Sequence, residues 1–99
     1  MAGSDSFAHV ERELLEERAA ALSRIAGRLG ELVAQLGELR SRFVELPEAD
    51  RPASVAAFRL LREEAKLYRW YLEVQREAVG LRRHDRLDEL YAIPEALEG

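Results

Sequence analysis

Two histidines and two carboxylates stand at spacings that would suit a metal. His9 and Glu13 are four residues apart, and so are His84 and Asp88. On a helix that spacing puts both side chains on one face. If His84 came opposite Glu13 and Asp88 opposite His9, the four would offer a mixture that suits Zn²⁺ or Fe²⁺. The two histidines are too few for a three-His site within one chain, and neither has Glu three residues before it, as di-iron bundles require. With no Cys, disulfides, thiolate metal sites and cysteine nucleophiles are excluded. No cofactor is expected. Gly27, Gly30 and Gly37 lie inside a helical pattern with no strand before them, so they are not a phosphate loop.

Three further features bear on binding. Glu64 falls inside an apolar arc between Leu61 and Tyr68, where a carboxylate is costly unless paired. Its simplest role is to snorkel or to bond an Arg of the facing helix, and Gln75 nearby reads as a polar contact that fixes register. Trp70 stands among Arg59, Glu63, Lys66, Glu73 and Glu77, either as a partner-binding anchor or lying along charged stems, with Lys66 placed to cover the indole. The run Arg82-Arg83-His84-Asp85-Arg86 is basic, but its interleaved acid and the net charge of −4 favour intrachain pairing over nucleic acid. Fourteen of the fifteen basic residues are Arg, a skew that with abundant Ala, Leu and Gly reads as GC-rich bacterial coding.

These residues need elements to position them. Ninety-nine residues make one domain with room for a modest core, and 47% apolar with 34% charged is a globular balance. No apolar run is long enough for a membrane span or a signal peptide, which predicts a cytoplasmic protein. From Phe7 the apolar positions run Val10, Leu14, Ala21/Leu22, Ile25, Leu29, Leu32, Leu36, Leu39, Phe43 and Leu46. Steps of three and four make this a heptad seam, with a stutter at Arg18. Helix 1 is expected over about 6–45, capped among Ser4, Asp5 and Ser6. The loop spans 46–51, and Pro52 opens a second helix over about 52–80. Gly80 supplies its left-handed end, with Leu81 folding back. Asp85 would cap a short helix over about 85–91, and a tail covers 92–99, of which Glu95 to Gly99 fray.

A loop this short forces the two helices antiparallel. With Glu45 facing Pro52, helix 2 ends opposite Glu17 and helix 1 overhangs it. The 81–93 segment is then expected to cover the overhang, setting Arg82, Arg83 and Arg86 against Glu11, Glu13, Glu16 and Glu17.

The apolar surface of helix 2 exceeds what one partner helix can bury. Phe58, Leu61, Ala65, Tyr68, Leu72 and Val79 fill the centre of an arc that Ala57, Leu60, Leu67, Tyr71, Val74 and Ala78 widen to roughly 200°, twice the usual stripe. Helix 1 also carries Ala19, Ser23, Ala26, Gly30, Ala34, Gly37 and Ser41 in a stripe that reads the same in reverse about Gly30. Small residues allow close approach of helices, and a two-fold interface must be self-complementary. The expectation is an all-α antiparallel helical hairpin with a short C-terminal helix, dimerising into a four-helix bundle. Its seam would draw on Ala26, Gly30, Ala34 and Gly37, or on Leu60, Leu67, Tyr71 and Val74. The expected function is a non-enzymatic protein-interaction module, a small adaptor, chaperone-like or regulatory subunit acting as a homodimer. Its partners are itself and an unidentified protein, with no nucleic acid and no membrane. The alternative is a metal-binding bundle using His9, Glu13, His84 and Asp88.

Overall fold

The apolar steps of three and four from Phe7 to Phe43 are realised as one 42-residue helix, α1, Ala2–Phe43. This computed structural model describes the backbone of residues 2–98 and the side chains of 5–98. The side chain of Ser4 therefore lies outside the described residues. Asp5 and Ser6 lie within the helix rather than at its cap. Two successive turns stop α1, Glu45 N–H donating to Arg42 C=O and Leu46 N–H to Phe43 C=O. A single 3₁₀ turn, Glu48–Asp50, leads into α2, Arg51–Ala78, whose proline sits in the first turn where its missing N–H costs nothing. Arg51 ties the corner, donating through Nε to Leu46 C=O and lying over the Phe43 ring.

Helix 2 is closed just beyond its end by Gly80, the one residue at positive φ among those described, +89°. Leu81 N–H reaches back to Arg76 C=O at 2.9 Å and Gly80 N–H to Glu77 C=O at 3.0 Å, the paired bonds of a Schellman stop. The short helix α3 is a single turn, Leu87–Leu90, preceded by Arg86 rather than capped by Asp85. It stops one residue before Tyr91 and well before the Ile93-Pro94 step.

The helices pack antiparallel into a rod of 72 × 22 × 15 Å. The core is one seam: Leu29, Leu32 and Leu36 from α1, and Phe58, Ala65 and Leu72, seven apart, from α2. Leu22, Ile25, Leu39, Leu61 and Tyr68 flank it. The register is the one the short loop implies, since Arg18 Nη1 donates to Ala78 C=O at 3.5 Å. Arg18 is the polar residue at the stutter, and its guanidinium stands at the negative end of the α2 dipole.

The C-terminal segment corrects two expectations. It does not cover the overhang of α1, and the stretch expected to fray is held at Leu97, which packs against the core; Gly99 lies outside the described residues. From Gly80 the chain turns back and runs antiparallel to α2 along the α1–α2 groove, as an arm that closes one side of the core. Leu87 is buried, and Tyr91, Ile93 and Leu97 pack against the seam. Burial of an apolar arm in the groove competes with burial along a bare helix, and the groove offers two walls instead of one. The expected facing of Arg82, Arg83 and Arg86 with the acids of residues 11–17 is therefore absent, and that stretch of α1 stands alone and exposed.

Candidate interaction surface

Three arginines of α2 fasten the arm. Arg62, Arg69 and Arg76 are seven apart, so they share one stripe of the helix beside the core. Arg62 Nε donates to Pro94 C=O at 2.8 Å and Arg69 Nη1 to Asp88 Oδ1 at 2.8 Å. Arg76 Nη2 donates to Arg83 C=O at 2.7 Å and its Nε to His84 Nδ1 at 3.3 Å. As the arginine number rises the arm number falls, which fixes the arm's direction. Sequence reasoning missed this ladder. The signal was the seven-residue spacing of arginines alongside Leu87, Tyr91, Ile93 and Leu97 in a segment read as a short helix and a tail.

The same bonds decide where the metal candidates go. His9 Nε2 meets Glu13 at 2.9 Å on the bare end of α1. His84 accepts from Arg76 through Nδ1 and stands 3.1 Å from Glu77 through Nε2, so both ring nitrogens are engaged. Asp88 is held by Arg69. The four residues are thus split between two places, because the arm carries His84 and Asp88 onto α2 and away from the overhang. Among the described residues no three His, Asp or Glu side chains gather as a metal site.

Glu64 takes the paired option. It accepts from Arg28 Nη2 at 2.9 Å across the helices, and Arg28 also reaches Glu31 at 3.3 Å. The hydrogen bond to Glu64, with Glu31 adding to it, holds the Arg28 guanidinium above its already high usual range. Gln75 is half-buried at the seam edge.

What remains is apolar surface. On α1, Ala26 and Gly30 lie under the arm, and a Cβ placed on Gly30 would touch the Tyr91 ring at 3.8 Å. Tyr91 of the same chain therefore occupies the point where a two-fold at Gly30 would bring a second helix. Ala34 and Gly37 stay exposed, with nothing within 4 Å of a Cβ on Gly37. On α2 the side away from the arm is open. Leu60 is 73% exposed, and Leu67, Tyr71 and Val74 are exposed with it. Trp70 is 57% exposed and does not stand alone in a charged field: its ring centroid is 5.6 Å from that of Tyr71, which meets Tyr68 edge-on at 5.6 Å. Lys66 pairs with Glu63 at 3.3 Å instead of covering the indole.

No helix among the described residues is long and apolar enough to cross a membrane. No family model, curated protein or solved structure matches the chain.

Proposed function

We propose that the protein is a non-enzymatic interaction module, an adaptor or regulatory subunit, that works as a homodimer joined through the open face of α2. The carrying observation is the exposed strip Leu60–Leu67–Val74 with Tyr71 and Trp70, left bare while the opposite side of α2 is closed by the arm. A contiguous apolar strip of this kind marks an association surface. A second copy is the occupant that fits. Leu60, Leu67 and Val74 are seven apart, so the spacing of the strip is the same in both directions about Leu67, as a two-fold contact requires. In that antiparallel pairing Leu60 meets Val74 of the other copy, and Arg59 at one end comes beside Glu77 at the other. Two hairpins joined this way make a row of four helices, the α2 pair inside and α1 outside, because the strip lies opposite the Phe58–Ala65–Leu72 seam.

Sedimentation equilibrium of the wild type and of Leu67→Glu tests the reading. The wild type is expected to associate, and Leu67→Glu to associate more weakly by about tenfold or more, with unchanged helicity by circular dichroism. A monomeric wild type, or a dimer indifferent to Leu67→Glu, contradicts it.

A further inference from the structure

The overhang of α1 is the second surface the fold leaves unpartnered. Helix 2 stops at Arg18, so residues 2–17 run on alone for about 24 Å at about 1.5 Å per residue. Phe7 is 67% exposed, and Val10, Leu14 and Leu15 are exposed beside it, on the continuation of the stripe that is core further along. Glu11, Glu13, Glu16 and Glu17 flank these residues, with Arg12 the one basic residue among them.

At the same end of the molecule the arm leaves an apolar notch. Leu22 and Ala26 of α1, Leu72 of α2, and Leu81, Leu87 and Leu90 of the returning chain line it. Arg83 and Arg86 stand exposed on its rim, with Asp85 beside them and Arg76 behind. An acidic apolar helix and a basic-rimmed apolar notch thus sit side by side on each chain. A continuous helix leading away from the notch cannot turn back into it. A second copy can supply the fit, because the overhang and the notch leave from one end and two copies set end to end satisfy both at once.

We propose that this end of the protein is a reciprocal docking site for a second copy: the α1 overhang of each chain lies in the basic-rimmed notch of the other. The contact is separate from the α2 strip and extends association beyond one dimer. Phe7, Val10 and Leu14 supply the apolar contact, and the acids beside them meet Arg83 and Arg86 of the other chain. Charge of opposite sign on the two halves makes the contact weaken with salt, unlike an apolar strip.

The test separates the two surfaces by working in the Leu67→Glu background, where the α2 contact is removed. Sedimentation equilibrium is run at about 50 mM and about 500 mM salt, which shortens the screening length severalfold. Three forms are compared: the parent, Arg83→Glu/Arg86→Glu, and that pair combined with Glu13→Arg/Glu17→Arg. The parent is expected to self-associate, more weakly at high salt. The arginine reversal should weaken association by about tenfold or more, since like charges then face each other, and the combined reversal should restore it. All four positions are exposed, and circular dichroism checks that each variant keeps its helices. A Leu67→Glu parent that stays monomeric overturns the docking site while leaving the α2 dimer standing. Association indifferent to Leu67→Glu in the full-charge chain, but lost on charge reversal, overturns the α2 dimer instead. Association insensitive to both salt and reversal overturns the docking site as well.

Discussion

Gly27 and Gly37 sit in mid-helix with nothing within 4 Å of the place a Cβ would take. Each weakens α1 by about 0.8–1 kcal/mol relative to Ala, with no packing reason inside the chain. Gly27→Ala and Gly37→Ala are therefore expected to raise stability by about that amount each in urea denaturation. Gly80→Ala should do the reverse, by about 1–2 kcal/mol, because its φ of +89° is strained for any residue with a Cβ. A Gly37→Ala that destabilised the chain or altered its association would return the small-residue stripe to contention as an interface. Arg28 gives a different kind of expectation. Its guanidinium is raised by the hydrogen bond to Glu64, so what it contributes is fully present at neutral pH and is lost only as pH rises through the guanidinium's own range. A stability–pH profile should therefore show no step from Arg28 across the neutral region, and the substitution Arg28→Met should leave the shape of that profile unchanged there.

At the scale of elements, the two long helices were legible because their apolar steps extend over many turns, and Pro52 and Gly80 mark the start and stop of α2 in chemistry that admits few alternatives. Leu29, Leu32 and Leu36 are buried where the heptad seam puts them. The arm was not legible. Periodicity is informative over long stretches, and residues 81–98 hold only one helical turn; their position depends on Arg62, Arg69 and Arg76 reaching from a distant helix. That single element then displaced three readings together: cover for the overhang, a converged metal quartet, and a two-fold at Gly30. Two substitutions separate the arm from the core. Phe58→Ala removes the largest fully buried side chain and should cost about 3–5 kcal/mol in global stability. Tyr91→Ala combined with Arg62→Ala loosens only the arm. In that variant, amides of the arm are expected to exchange faster while those around Leu32 and Phe58 keep their protection. Equal loss of protection throughout would mean that the arm and the hairpin fold as one unit.

For the whole molecule, the sequence pointed to surplus apolar surface on α2, and the structure leaves that surplus uncovered. The arm closes the groove on the arginine side, and the surplus from Leu60 to Val74 stays exposed and is the basis for the dimer proposed above. A rod this narrow, 72 Å long and only 15 Å across its thinnest side, leaves much of its apolar content near the surface.

The chain contains no Cys, so a single introduced thiol reports its own neighbour without ambiguity. Leu67→Cys places that thiol on the proposed two-fold, where facing residues would come within the roughly 4.4–6.8 Å Cα separation a disulfide needs. The account predicts that Leu67→Cys cross-links rapidly to itself under mild oxidation. It predicts that Leu60→Cys alone does so poorly, and that a mixture of Leu60→Cys and Val74→Cys chains yields the mixed pair. Cross-linking of Leu60→Cys to itself as readily as Leu67→Cys, or no cross-linking at any of the three positions, would contradict the antiparallel α2 seam.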